Sequence, residues 1–155
     1  MEEKHLRDFF THDQQDAILT AVRHAETRTS GEIRVRLDKR AGDDVKGAAR
    51  KAFDALDMRK THLRNGVLFY LAVEDRKFVV IGDDGIYHKV PSNFWDGITR
   101  DVIAHFQEGR YADGLIAGIE KAGEQLATYF PHQADDKNEL PDDISLADED
   151  DGSSA

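Results

Sequence analysis

Residues 66–73 read GVLFYLAV and residues 77–82 read KFVVIG, and these two apolar runs decide the fold. The first run is far shorter than the roughly 20 residues of a membrane-spanning helix, and its β-branched and aromatic side chains are typical of a strand covered on both faces. Only Glu74, Asp75 and Arg76 separate the runs. Because a parallel partner would need a long crossover, we predict a β-hairpin in the middle of a sheet.

The chain before this hairpin predicts a helix, a strand and a second helix. Residues 11–14 (THDQ) have the spacing of a capping box, and the helix that they begin is expected to end near residues 29–31. Residues 32–38 (EIRVRLD) alternate between charged and aliphatic side chains, which predicts a strand at an edge of the sheet with one wet face. Asp43 or Asp44 is expected to cap the next helix, which is the crossover that makes this strand parallel to the hairpin's first strand.

The chain after the hairpin predicts two more helices. Residues 86–90 are expected to form a short extra strand, Pro91 opens one helix, and a second helix runs over residues 111–129. Gly114 and Gly118 lie four apart on that helix, where another backbone can approach closely. The order α-β-α-β-β-α-α predicts an α/β fold, a three-layer α/β/α sandwich with a small mixed sheet of three or four strands.

Negative charge is concentrated near the C-terminal end. The net charge of the 155 residues is −10, and residues 135–151 hold nine acids and one base. We therefore divide the chain into a domain, residues 1–131, and an acidic tail, residues 132–155, whose composition predicts partial disorder. Three apolar residues cluster within the tail, which suggests that it docks on its own domain or on a protein partner; a purely solubilising tail is the alternative. These residues are Leu140, Ile144 and Leu146.

Composition excludes several functional classes. The chain has no cysteine, so disulfides, thiolate zinc sites and cysteine nucleophiles are excluded. The nearly neutral domain lacks the basic surface that a nucleic-acid binder needs. The sequence shows no Gly-x-x-x-x-Gly-Lys loop, and we expect no nucleotide or organic cofactor. Its first residues have no signal-peptide core and no window has the length of a membrane span, so we predict a cytoplasmic protein.

Acidic side chains follow the two strands that are predicted to be parallel. Asp38 follows the first, Asp75 follows the second, and Asp43 and Asp44 lie in the loop between them. Ligands favour the carboxyl ends of parallel strands, and calcium prefers oxygen ligands. We therefore predict a calcium or magnesium site there, with a weak dissociation constant on the order of 10⁻⁵ to 10⁻³ M. Hairpin turns and helix caps also recruit aspartate, which is the alternative explanation of Asp75 and Asp44.

A second candidate cation site lies at the opposite edge of the predicted sheet. Asp83 and Asp84 follow the third strand and are expected near Glu32, Asn65 and the helix that begins around Ser92. A simple acidic turn is the alternative interpretation of these two residues.

Several short stretches resemble the TPM domain family, which is named in part after a thylakoid lumen protein. The resemblance covers about residues 11–129. The stretches are Ser30-Gly31-Glu32-Ile33, Asn65-Gly66-Val67-Leu68, Asp75-Arg76-Lys77, Gly82 and Gly109-Arg110-Tyr111-Ala112-Asp113-Gly114-Leu115. The chain departs from the family pattern after the hairpin, where members usually read Gly-Tyr-Gly-Leu-Glu and this chain reads Gly82-Asp83-Asp84-Gly85-Ile86. The glutamate of that pattern is absent.

The resemblance implies an α/β/α sandwich and a choice of functions. A plant member of the family is regarded as an acid phosphatase, some bacterial members bind calcium, and others are accessory proteins. Many carry a signal peptide and a membrane anchor, so the resemblance is to a soluble bacterial member that has neither. We therefore expect a binding or accessory module, with a metal-assisted phosphatase as the alternative. In an enzyme, Arg76 beside Asp75 could hold a phosphate next to a bound metal.

Overall fold

The computed structural model describes residues 6–133 and 143–147. These residues form an α/β sandwich in which helices pack against one four-stranded sheet. The helices are α1 (His12–Glu26), α2 (Val45–Ala55), α3 (Asp84–Tyr87), α4 (Asp96–Gln107) and α5 (Tyr111–Tyr129), and the strands are β1 (Glu32–Asp38), β2 (Gly66–Ala72), β3 (Lys77–Gly82) and β4 (Ile144–Leu146). Short 3₁₀ turns at Leu6–Asp8 and Met58–Lys60 complete the described part. No helix among the described residues has both the length and the apolar character needed to cross a membrane.

The sheet has the order β3-β2-β1-β4 across the described residues. β2 and β3 form the predicted antiparallel hairpin, and β1 lies parallel to β2 over seven residue pairs, from Glu32 opposite Gly66 to Asp38 opposite Ala72. β4 then pairs with the other side of β1, also in parallel. The prediction that the hairpin occupies the middle of the sheet is therefore wrong for β3, which is an outer strand, and right for β2.

The expectation that β1 is an edge strand with a wet face is also wrong. β1 lies between β2 and β4, and its side chains Glu32, Arg34 and Arg36 are all buried. The guanidinium group of Arg34 pairs with Asp143, and Arg36 Nη1 donates a hydrogen bond of 3.1 Å to Ser145 Oγ. Arg34 and Arg36 therefore have polar partners in a segment that is distant in sequence.

Two apolar layers cover the two faces of the sheet. One core joins α1, α4 and α5 to the face of β1 and β2 that carries Ile33, Val35 and Phe69. The other joins α2 to the face that carries Leu68 and Tyr70. The helices thus lie on both faces, and the predicted three-layer architecture is confirmed.

Several local predictions can be compared with the structure. The capping box at Thr11 is present with both of its hydrogen bonds, and Asp44 caps α2 by accepting from Gly47 N at 3.0 Å. The short strand expected at residues 86–90 is wrong, because α3 and the turn after it occupy this segment. The helix expected from Pro91 begins only at Asp96, after a run of turns.

The glycines of α5 pack closely against neighbouring helices, and the closest approach to another backbone occurs at a glycine that was not predicted, Gly123. Next to Gly114 and Gly118 lie side chains, including Phe106 and Val102 of α4. At Gly123 the neighbour is helix α1 itself: a Cβ atom placed there would lie 2.7 Å from Ala25 Cβ and 2.9 Å from Ala25 Cα. The absence of a side chain therefore lets α1 and α5 pack against each other.

Replacing Gly123 by alanine should destabilise the domain, because α1 would have to move away from α5. We expect a loss of about 1–3 kcal/mol and a fall in Tm of roughly 3–10 °C. Gly97→Ala is the matched control, since the atom nearest to its added Cβ is the flexible end of Lys121, at 3.3 Å. Thermal unfolding by circular dichroism should show an unchanged or slightly raised Tm for the control. Equal Tm values for the two variants would contradict the close contact.

Candidate functional site

The carboxyl ends of β1 and β2 meet at one edge of the sheet, as predicted. Their pairing continues beyond the strands, with Val73 N donating to Asp38 O at 2.9 Å and Glu74 N donating to Lys39 O at 2.9 Å. The loop after β1 and the turn after β2 are thereby held side by side. We call this region, residues 38–44 and 73–77, the carboxyl edge.

Asp75 organises the loop that leaves β1. Its Oδ2 atom accepts hydrogen bonds from Ala41 N at 2.7 Å and Gly42 N at 3.0 Å. These two backbone donors, assisted by the positive charges of Lys77 and Arg40, lower the pKa of Asp75 below its ordinary value of 3.8. Asp75 therefore remains ionised at neutral pH and fixes the loop as an anion.

Asp38 lies beside a buried tyrosine. Its Oδ2 atom accepts a hydrogen bond of 2.7 Å from the Tyr70 hydroxyl, and its Oδ1 atom accepts from Lys39 N at 2.8 Å. Burial and this hydrogen bond raise the pKa of Tyr70, so the phenol stays neutral and acts as a donor. The negative charge of Asp75 adds a smaller contribution to the same shift.

The remaining two predicted ligands have different surroundings. Asp44 is committed to capping α2, as the alternative interpretation proposed, and Asp43 is exposed in the loop. The ammonium group of Lys77 donates to the Gly42 carbonyl oxygen, which places a positive charge at this edge. Among residues 6–133 and 143–147, no three histidine or acidic side chains are grouped so that they alone could hold a metal ion.

At the opposite edge of the sheet, where β3 ends, arginine side chains lie next to Asp83 and Asp84. The Asp83 side chain is fully buried and accepts from Arg64 Nε at 2.8 Å and Nη2 at 3.1 Å, and Arg59 approaches it to 3.5 Å. Asp84 is 66% exposed and lies 3.4 Å from Arg64 Nη2. The hydrogen bonds that Arg64 donates to Asp83 raise the pKa of Arg64. Because arginines already occupy the space around these carboxylates, the arrangement favours a structural ion-pair cluster over the second candidate cation site.

Arg34 and Arg36 are the polar residues whose setting sequence analysis missed. Alternating charge in residues 32–38 is typical of a solvated strand face, and this pattern led to the edge-strand prediction. The available signal was the combination of two arginines on one strand with an acidic segment that carries apolar residues at alternate positions. Ile144 and Leu146 of that segment pack against the core of their own domain, as one alternative proposed. Leu140 lies outside the described residues.

The fold and the carboxyl edge define the chain as an α/β/α sandwich domain with acidic loops at the ends of two parallel strands. The family model described as "TPM domain" matches residues 5–125, and the chain belongs to this family. No curated protein matches the sequence.

Two solved structures are similar to the chain over most of its length. The NMR structure of BA42 protein from the psychrophilic bacterium Bizionia argentinensis is 47% identical with a TM-score of 0.86, covering 91% of this chain and 97% of that one. The solution structure of the N-terminal domain of a protein from P. gingivalis is 19% identical with a TM-score of 0.61, covering 83% of each chain, and shows the likeness of fold alone.

The buried carboxylate at the opposite edge should contribute to stability through its ion pairs. Asp83→Asn is expected to lower the free energy of unfolding by about 1–3 kcal/mol, since the arginines lose a charged, fully buried acceptor. The control Asp84→Asn changes an exposed neighbour and should stay within about 0.5 kcal/mol of wild type. Urea denaturation monitored by circular dichroism measures both, and equal losses would refute the special role of Asp83.

The hydrogen bonds to Asp75 should make loop stability depend on pH. A folded-state pKa below the ordinary value means that the ionised carboxylate stabilises the folded loop above about pH 4, and that this stabilisation disappears as the pH falls through the folded-state pKa. The protection factors of the Ala41 and Gly42 amides, measured by NMR and normalised to the intrinsic exchange rate at each pH, should therefore fall in acid in the wild-type chain. In Asp75→Asn, protection should already be weaker at pH 7 and less sensitive to pH. Equal protection of both chains at pH 7 would contradict this assignment.

Proposed function

We propose that the chain is a binding module that holds a divalent cation, calcium or alternatively magnesium, at the carboxyl edge. The observation that carries this proposal is the convergence of Asp38 and Asp75, which are far apart in sequence, at the carboxyl edge. Asp38 ends β1 and accepts from the Tyr70 hydroxyl, and Asp75 accepts from Ala41 N and Gly42 N in the loop that leaves β1. Asp43 and the second carboxylate oxygen of Asp44, whose Oδ1 atom caps α2, would supply further oxygen atoms from the intervening loop. Two carboxylates held on a rigid strand end suit a hard cation.

The available donors predict weak binding. Asp75 uses Oδ2 for two backbone N–H groups, and Asp38 uses Oδ2 for the Tyr70 hydroxyl. A cation would therefore draw on Asp75 Oδ1, main-chain carbonyl oxygens and water for much of its coordination. Lys77 opposes it, because its ammonium group lies at the Gly42 carbonyl. These features support a dissociation constant on the order of 10⁻⁵ to 10⁻³ M.

Calcium titration of stability tests the proposal. At a calcium concentration about 100 times the dissociation constant, binding to the folded state should add about 2.7 kcal/mol. We expect Tm to rise by several degrees in calcium, and the rise to be lost in Asp75→Asn and Asp38→Asn. Lys77→Gln should strengthen binding, because a competing positive charge is removed. Differential scanning calorimetry and isothermal titration calorimetry measure these effects.

The matched control is Asp57→Asn. Asp57 is 64% exposed beside the 3₁₀ turn Met58–Lys60, and its φ of 55° is tolerated well by asparagine. The control should retain the full response to calcium. The proposal fails if calcium and magnesium leave the wild-type Tm unchanged at about 10 mM, which is roughly ten times the upper end of the proposed range of dissociation constants.

A metal-assisted phosphatase is the second candidate, supported by the position of Arg76. This residue follows Asp75 in the hairpin turn and lines an open groove of about 330 Å³ with Phe78, Phe106 and Tyr111. A phosphate ester bound to a cation at the carboxyl edge would lie near this guanidinium group. Hydrolysis of an aryl phosphate, with and without calcium or magnesium, should distinguish the candidates. Turnover lost in Asp75→Asn favours the enzyme, and cation-dependent stabilisation without turnover favours the module.

A further inference from the structure

The outer side of β1 carries a groove that β4 fills. We define the β4 groove by Leu37 and Arg36 of β1 together with Leu6, Phe10 and Leu19 from the N-terminal turn and α1. β4 lies in it in parallel, with Val35 opposite Ile144, Arg36 opposite Ser145 and Leu37 opposite Leu146.

Alternate residues of the segment 143–147 face opposite sides of the sheet, one side apolar and the other polar. Ile144 and Leu146 point to the apolar side and pack against the core beneath α1, and Ala147 is buried with them. A cleft of about 270 Å³ remains between these residues and Leu6, Phe10 and Leu19. The apolar side of the groove therefore extends beyond the part that β4 occupies.

The other side of the segment contacts buried positive charge. Asp143 pairs with Arg34, whose side chain is only 6% exposed, and Ser145 accepts a hydrogen bond of 3.1 Å from Arg36, which is 3% exposed. A buried cation needs an anionic or polar partner, because an unpaired charge away from solvent is costly. The groove thus selects an acid and a hydroxyl group at alternate positions of an extended chain.

Within the part of the chain that the structure describes, β4 forms the shortest pairing of the sheet. It makes three residue pairs with β1, whereas β1 and β2 make seven. Short strands at the edge of a sheet are those that open most readily, and the exposed edge then pairs with another extended chain.

We propose that the β4 groove is a receptor for an extended acidic peptide of a partner protein, and that residues 143–147 occupy it as an internal competitor. The recognised pattern is acid-aliphatic-hydroxyl-aliphatic, as in Asp143-Ile144-Ser145-Leu146. Main-chain pairing with β1 supplies affinity, and Arg34, Arg36 and the apolar cleft supply specificity. This surface does not involve the proposed cation, so the inference stands apart from the proposed function.

The test compares chains in which the internal segment is docked or released. Ile144→Asp/Leu146→Asp places two charges against the apolar side and should release the segment. The probe is a fluorescent peptide with the sequence of residues 140–149, and fluorescence anisotropy in EDTA measures its binding. We expect the released chain to bind at least about tenfold more tightly than wild type, because a tethered competitor acts at an effective concentration in the millimolar range.

Two controls make the result specific. Leu63→Asp/Tyr87→Asp adds the same charge at apolar side chains that are 43% and 53% exposed, and should bind as weakly as wild type. A probe in which the acid and the serine corresponding to Asp143 and Ser145 are replaced by lysine and valine should lose most of its affinity for the released chain. Failure of the folded, released chain to bind the original probe would overturn the proposal, as would equal binding of both probes.

A second experiment does not depend on the folding of that variant. A protease recognition sequence inserted after the exposed residue Gln133 allows the wild-type segment to be cut after folding. The cut segment should then exchange with excess labelled probe. The proposal is refuted if the cut segment dissociates and the probe still does not bind, or if the probe never replaces it.

Light scattering tests another occupant of the groove. A wild-type dimer that disappears in Ile144→Asp/Leu146→Asp would assign the groove to a second copy of this chain and overturn the partner-peptide proposal.

Discussion

The parallel pairing of β1 with β2 is the constraint on which the rest of the structure depends. Parallel neighbours cannot be joined by a tight turn, so the chain must cross over through α2. That crossover covers one face of the sheet, while α1, α4 and α5 cover the other. The same pairing brings the ends of both strands to a common edge. The layered fold and the position of the carboxyl edge therefore have a single origin.

Polar side chains in this domain are used to hold segments together. Asp75 fixes the loop after β1 through two backbone N–H groups, and Asp83 fixes the segment around Arg64. Arg34 and Arg36 do the same for β4. In each case one side chain satisfies groups that are distant in sequence, because buried polar groups without partners are costly. Acidic residues of the sequence thus have a structural role in this domain.

Much of the architecture could be predicted from local signals. The apolar runs around Glu74–Arg76, the capping box at Thr11 and the cap at Asp44 each depend on residues close in sequence. For the candidate site, the shared edge of Asp38 and Asp75 followed from the prediction of parallel strands. The Tyr70 hydroxyl beside Asp38 could not be predicted, because it depends on the register between β1 and β2. The arginines around Asp83 were equally hidden, since they come from the loop before β2.

The sequence by itself determined the class of fold, the family, the hairpin and the crossover, because hydrophobic periodicity and chain connectivity act over short distances. Only the tertiary structure decided which strands lie at the edges of the sheet and whether a charged side chain faces water or a partner. The alternating residues of β1 are compatible with both situations, and the choice depends on a pairing between segments more than 100 residues apart, as between Arg34 and Asp143. Such a contact arises only when the chain folds, and the pattern of either segment alone does not identify its partner.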